Sequence, residues 1–285
     1  MRPTVSVVLP FLGDAAAARE VVARLGGLRT SDGDELIVAD NTSDGVVEAA
    51  ADTAVRVVRA AERRSASYAR NAAAATASGE WLLFLDADCL FGPDLLDAFF
   101  KPPPDERCGI VAGEIVGDPE QTGTLARWSR SRRGRWVERL LAGGMRPAGV
   151  TANLLVRREA FETAAGFRLG GGADFDLSWR LQDAGWELEH RPRALVRHRD
   201  RETLREVGEQ ARAYGSHVRN LRRLHGADAL PPVALRSAPR ALGAAAIWRL
   251  RGQRGRARLA LVDAFYFANA WAGAHGAGPR RRSGD

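Results

Sequence analysis

The apolar positions of the first hundred residues follow two rhythms. Short apolar runs, the first of them rich in β-branched side chains, occupy Val5–Pro10 ("VSVVLP"), Glu35–Asp40 ("ELIVAD"), Val55–Arg59 ("VRVVR") and Trp81–Asp86 ("WLLFLD"). They read as strands buried on both faces. Between them, Ala15–Leu25, Gly45–Asp52 and Ser65–Ser78 read as helices, the last one closed by Gly79 in the C′ role. Strand and helix alternating over short connections predict an α/β, doubly wound, mostly parallel sheet flanked by helices.

After Gly109 the rhythm changes. "GIVAGEIV" reads as a further strand, Gly149–Phe167 as a strand and a short helix, and Gly170–Trp186 as a glycine loop feeding a helix. "RALVRH" (Arg193–His198) reads as a short strand. Leu204, Val207, Ala211, Tyr214, Val218 and Leu221 step by three and four, which predicts a long amphipathic helix. Gly123–Gly144 is basic and carries Trp128 and Trp136, and Trp248–Gly273 joins an arginine cluster to an apolar aromatic helix. The organisation expected is a domain over 1–200 and a helical, basic C-terminal extension over 201–285.

In doubly wound sheets ligands bind beyond the carboxyl ends of the strands. Asp40 ends the second strand, and Asp86 and Asp88 end the fourth. Two carboxylates at i and i+2 of an extended chain share a face and repel unless a cation lies between them. Oxygen ligands suit Mg²⁺ or Mn²⁺, which also take water and phosphate oxygens. An Asp-x-Asp by itself reads as a strand cap and a turn; its place on one rim with Asp40 favours a metal–diphosphate platform.

Composition changes this picture little. A 45% hydrophobic chain of 285 residues can bury a sizeable core. Residues 201–285 hold 16 arginines against six acidic residues, a net of +10, so residues 1–200 carry −3 of the total +7. Lys101 is the only lysine, so arginine usage follows base composition and nucleic acid is not an expected partner. Two cysteines make no disulfide framework or zinc motif. No run reaches the length of a membrane span and no leader is apparent, so the expected location is cytoplasmic, or peripheral on the inner face of a membrane.

The stretches "VSVVLP", "ELIVADNTSDG", "SYARNAAAATASGEWLLFLDAD" and "ANLLVRREAFETAAGFRLGGGADFDLSWRLQDAGWELEHRP" cover most of residues 4–198. In order and spacing they resemble the inverting family 2 glycosyltransferases of GT-A fold. The resemblance implies a transfer of sugar from a nucleotide-diphosphate donor to an acceptor hydroxyl, with Mg²⁺ or Mn²⁺. The product would be a cell-envelope glycan, a glycolipid or a small-molecule glycoside. It implies a nucleotide-sugar half over 1–100 and an acceptor half over 101–200. Pro10, Phe11, Asp40, Arg70, Asn71 and Asp86 would line the donor site. Asp88 and Asp86 would serve the metal, with His198 as a further contact. A lone histidine reads equally as a surface residue. Asp174 would be the base, in the second place of a Glu-Asp pair whose first place here holds Ala173. Asn153, Asp176, Trp179 and Arg180 would face the acceptor.

Other readings stay open. Asp174 also suits a helix N-cap and Asp176 a helix first turn, and residues two apart on a helix do not share a face. "ARWSRSRRGRW" reads as a grip on an anionic, lipid-linked acceptor or as a solvated loop. Residues 247–271 read as a peripheral membrane contact or as a helix packed on the domain. Ala173 and the basic C-terminal third allow a non-catalytic binder of sugar nucleotides or nucleic acid on a decayed scaffold. A metal-dependent nucleotidyltransferase is opposed by "PFLGDAAAARE", which has one glycine and no early basic residue.

Overall fold

Val5, Val7, Leu9 and Phe11 point to one side of the first strand, Val8 to the other, and all are buried. This alternation repeats in Trp81, Leu83 and Leu85 against Leu82 and Phe84. A strand apolar on both faces must be covered on both, and helices do so here. The architecture is seen in a computed structural model, which describes residues 2–51, 53–141, 146–230 and 237–276, with 133–141 as backbone only. The side chain of Trp136, expected near the acceptor, therefore lies outside the described residues.

In chain order the elements are β1 (Val5–Phe11), α1 (Ala15–Gly26), β2 (Glu35–Asp40), β3 (Val55–Arg59), α2 (Ala66–Ala74), β4 (Trp81–Leu85), β5 (Cys89–Phe91), α3 (Leu95–Phe99) and β6 (Cys108–Gly117). There follow α4 (Thr124–Leu141), β7 (Asn153–Arg157), α5 (Arg158–Thr163), α6 (Ala173–Asp183), β8 (Glu187–His198), α7 (Leu204–His225), α8 (Ser237–Leu250) and α9 (Arg254–Ala274). The chain divides into two compact units. One holds residues 1–116, 147–169 and 173–199; the other holds 117–146, 170–172 and 200–285.

The first unit is built on an eight-stranded sheet of order β3-β2-β1-β4-β7-β6-β8-β5. The β1–β4 strands of the first ninety residues pair in parallel, whereas β7 joins β4 antiparallel, as do β6 with β7 and β5 with β8. The sheet is thus a mixed one. Helices α1 and α3 cover one face through Val21, Val22, Leu25, Leu96 and Phe99. Helices α2, α5 and α6 cover the other through Ala69, Ala73, Phe161, Leu177 and Leu181.

Two local expectations give way. Of the helix expected over Gly45–Asp52, Asp52 lies outside the described residues, and Val46–Ala50 form turns because side chains take backbone donors. Thr42 Oγ1 accepts from Gly45 N at 3.1 Å, Asp40 Oδ2 accepts from Val47 N at 3.4 Å, and Gly45 sits at φ +72°. Such side-chain bonds compete with the helical ladder. Helix α2 ends at Ala74, and Gly79 is not its left-handed cap. Gly79 is needed for close approach: a Cβ there would lie 2.6 Å from Ser6 N.

The second unit is helical. Trp128 of α4 packs with Val207 and Ala211 of α7 and Val262, Tyr266 and Ala270 of α9. The capping box of Thr203 and Glu206 starts α7. Helices α7 and α9 meet backbone to backbone: a Cβ on Gly215 would lie 1.9 Å from Ala270 O, and one on Gly273 2.0 Å from Arg212 O. Gly215 therefore joins the α7 seam, Tyr214 is half-buried with its ring 6.4 Å from that of Tyr266, and Leu204 is exposed.

Candidate active site

The chain leaves β4 at Leu85 and turns at once: Cys89 N donates to Asp86 O at 3.1 Å. In β5, Cys89 stands opposite His198 of β8, and Arg199 N donates to Asp88 O at 3.0 Å. This antiparallel ladder brings together two residues 110 positions apart, with His198 Nε2 3.4 Å from Asp88 Oδ1. The other ring nitrogen, Nδ1, is 2.8 Å from Arg199 O. A carbonyl only accepts, so Nδ1 donates to Arg199 O, and this holds the ring with Nε2 toward Asp88. Orientation of a ligating imidazole by a backbone carbonyl is a common feature of metal sites.

Asp88, Cys89 and His198 each place a donor atom within 4.8 Å of the others. Cys89 does not fit a ligand role. Burial, reinforced by the charges of Asp86 and Asp88, pushes its thiol well above its ordinary range. The protonated Sγ donates to Ala152 O at 3.5 Å. The donor set is one carboxylate and one imidazole, which fits a divalent cation completed by water and phosphate oxygens.

Asp86 lies beside this pair, and Arg70 of α2 donates to its Oδ1. The guanidinium is buried, sits 5.9 Å from the Phe167 ring centroid, and keeps its Nε without a partner. Asn153, opposite Leu85 at the start of β7, is also fully buried. Its Nδ2 donates to Ala194 O at 2.7 Å and Glu114 O at 3.0 Å, while its Oδ1 has no partner. Two unsatisfied buried polar atoms thus flank the end of β4. Such groups cost stability and are scarce in folded chains.

Pro10 and Phe11 lie in register with Ala39 and Asp40. Asp40 is fully buried. Its Oδ1 accepts from Thr42 N at 3.0 Å and Thr42 Oγ1 at 2.6 Å, and its Oδ2 from Arg59 at 2.5 Å. Burial alone would raise this carboxyl; the bonds from Thr42 and Arg59 outweigh it and hold it below the usual range. Asp40 therefore shapes the loop after β2. The neighbouring Asn41, which sequence reasoning missed, ties that loop to α2: its Nδ2 donates to Arg63 O at 2.8 Å and its Oδ1 accepts from Ser65 N at 2.9 Å. The only sequence signal was an Asp-Asn-Thr turn cluster.

Asn71 spends its whole amide on one residue. Nδ2 donates to Phe167 O at 2.8 Å and Oδ1 accepts from Phe167 N at 2.9 Å. This two-way clamp fixes the segment leading to α6.

Asp174 is the second residue of α6, inside the helix and partly buried, and its Oδ1 accepts from Phe175 N at 3.0 Å. Asp176 is buried and bound by Arg180 at 2.8 Å and Arg168 at 3.1 Å. Arg180 also donates to Ala164 O and Gly166 O, and Trp179 is buried against Phe175. A relay of hydrogen bonds ties α6 to the segment before β7. Gly149, just before β7, donates to Ser178 Oγ at 3.1 Å, and that hydroxyl donates to Asp174 O at 2.8 Å.

A paired-carboxylate turn after β4, a histidine brought to it by β8 and an acidic helix start coincide with a family match. The sequence profile of glycosyl transferase family 2 matches residues 6–164. The chain belongs to glycosyl transferase family 2. The match spans β1 to α5 and stops short of α6. The pre-mycofactocin glycosyltransferase of Mycobacterium tuberculosis is 29% identical over 241 residues, 80% of this chain and 50% of that protein. The chain thus spans half the length of that relative. An uncharacterized glycosyltransferase of Haemophilus influenzae is 38% identical over 93 residues, 31% of each chain.

Among solved structures, the mannosyltransferase PcManGT from Pyrobaculum calidifontis, in complex with GDP-Man and Mn²⁺, superposes with a TM-score of 0.67 at 22% identity. That superposition covers 97% of this chain and 88% of the other. Glucosyl-3-phosphoglycerate synthase from M. tuberculosis, with Mn²⁺, UDP-Glc and phosphoglyceric acid, gives 0.55 at 23% identity over 78% and 79%. At this identity the likeness speaks for the fold. The family 2 chain has the GT-A architecture.

Proposed function

We propose that the chain is an inverting glycosyltransferase that moves a sugar from a nucleotide-diphosphate donor to an acceptor hydroxyl. The observation that carries this reading is the placement of His198 Nε2 against Asp88, beside Asp86 and Arg70, in a family 2 chain. The Mn²⁺ and nucleotide sugars bound by the two structural relatives support it. Asp88 and His198 would hold the cation, and the imidazole favours Mn²⁺ over Mg²⁺. Bound there, the cation supplies Lewis-acid stabilisation of the leaving diphosphate.

The chain's own groups do the rest. Asp174 takes the proton of the acceptor hydroxyl as that oxygen bonds to the anomeric carbon. The bond from this carbon to the diphosphate oxygen breaks on the opposite side, so configuration inverts. Arg70 stands by with positive charge, and Pro10, Phe11 and the Asp40 loop shape the nucleotide side. Residues 1–200 form the transferase domain in this reading and 201–285 its extension. The acceptor is a glycan, a lipid-linked or a small-molecule hydroxyl. Of the basic stretch 247–271, the exposed side chains are the part that meets a membrane surface.

The test is a thermal-shift series with UDP, GDP, dTDP and CMP, each with and without Mn²⁺. At a hundredfold excess over Kd one diphosphate should raise the midpoint by about 5 °C. Asp88→Ala and His198→Ala should lose the metal-dependent part. If no nucleotide shifts the parent chain, the rim is structural and a non-catalytic role replaces this one.

A further inference from the structure

The aromatic side of α9 is not available to a membrane. Val262, Tyr266 and Ala270 are buried against α4 and α7. What the second unit leaves open is the hairpin of α8 and α9. Helix α8 buries only Ala245, while Leu242, Ile247 and Leu250 are exposed; on α9 Leu261 and Phe265 are exposed. Leu250 is 89% exposed, next to the turn that joins the helices.

Arginines surround that turn. Arg249, Arg251, Arg254, Arg256 and Arg258 fall within ten residues with no acidic residue among them, and all five are exposed. None has a carboxylate within ion-pair distance among the described residues; Arg251 and Arg256 instead lie over the Trp248 ring, at 5.7 and 4.8 Å. Between the helices runs an open groove of about 290 Å³. Arg249, Arg254 and Arg258 line it toward the turn, and Leu242 and Leu261 line it further along the helices. The groove is therefore polar and positive at one end and apolar at the other.

We propose that the α8–α9 hairpin tip docks on an anionic phospholipid surface, with Leu250 entering the acyl boundary and the arginines binding headgroup phosphates. Charge complementarity selects this occupant: five cations around an exposed leucine match a layer that is anionic outside and apolar beneath. A protein groove would need acidic partners for the arginines but gives no reason for Leu250 at the tip. Nucleic acid would use the arginines but leave the leucines in water. The inference deepens the membrane contact proposed above and is independent of the transfer reaction.

The experiment is flotation of the full chain with vesicles of phosphatidylcholine alone and of phosphatidylcholine mixed with phosphatidylglycerol, at low and high salt. The chain should bind the anionic vesicles only, and high salt should weaken the binding. Replacing Arg249, Arg254 and Arg258 together by Gln should weaken it about a hundredfold. Leu250→Asp should weaken it about tenfold or more. Both variants alter exposed side chains, so their melting midpoints and nucleotide-induced shifts should match the parent, which separates this proposal from the donor-site reading. Equal binding to neutral vesicles, no binding at low salt, or unaltered binding by either variant overturns it. So does tight RNA binding that the arginine variant loses while vesicles bind neither form.

Discussion

In the proposed transfer Asp174 is the base. Asp176, two residues on, is buried under Arg168 and Arg180. Asp174→Asn keeps the shape and removes the proton acceptor. Turnover should fall about 10²- to 10⁴-fold with the nucleotide thermal shift unchanged. Turnover near the parent value would assign the base elsewhere. The ring of His198 makes the complementary point. Its Nδ1 lies 2.8 Å from Arg199 O, so the ring is turned with Nε2 toward Asp88 by a backbone carbonyl that no motif reveals. The sequence showed the carboxylates because carboxylates at strand ends are rare enough to notice. It did not show Asn41, because an amide serves equally well as a surface residue until its partners are known.

Elements meet here through small residues as much as through large ones. Gly79 sits where the chain enters β4 and passes the backbone of Ser6, donating to Ser6 Oγ at 2.9 Å. An added methyl would meet backbone, which cannot move out of the way as a side chain can. Gly79→Ala should therefore cost about 1–3 kcal/mol of stability, read as a lower urea midpoint at unchanged slope. A neutral substitution would mean that β1 and β4 shift apart without loss. The clamp of Asn71 on Phe167 works at the same level. It ties α2, which carries Arg70, to the segment before α6, which carries Asp174. Donor and base sides of the proposed site are thus linked by one amide rather than by the sheet alone.

Acid should destabilise the whole chain from the side of its buried carboxylates. Burial raises Asp34, Glu35 and Asp40, but hydrogen bonds from Arg2 and Val5 to Asp34, from Ser6 to Glu35, and from Thr42 and Arg59 to Asp40 outweigh it, and all three lie below their ordinary values. The unfolded chain takes up these protons near about pH 4, the folded chain only lower. Their stabilisation is therefore complete above that range and drains away as pH falls through the depressed values. The urea midpoint should hold from pH 7 to about 5 and drop below about 4. A midpoint that rises on acidification would contradict this account. The cysteines add nothing to it: burial pushes Cys108 up to about 12 and Cys89 higher still, so both stay thiols throughout.

The alternation of apolar runs with alanine-rich segments was enough to read the α/β architecture and the rim carrying Asp40, Asp86 and Asp88. Both are local: strand burial and strand ends follow from side chains within a few residues of one another. The capping box at Thr203 and the apolar step of α7 were local too. The antiparallel entry of β7 and β8 was not, since pairing direction depends on where the chain returns, and β5, three residues long, exists only because β8 lies beside it. The same holds for α4, which follows the sheet strand β6 in sequence yet packs with α7 and α9 through Trp128. The meeting of Asp88 with His198, the burial of Asp176 and the exposure of Leu250 all required chain segments distant in sequence to be placed side by side. That placement is set by packing of the whole core, and no short window of residues contains it.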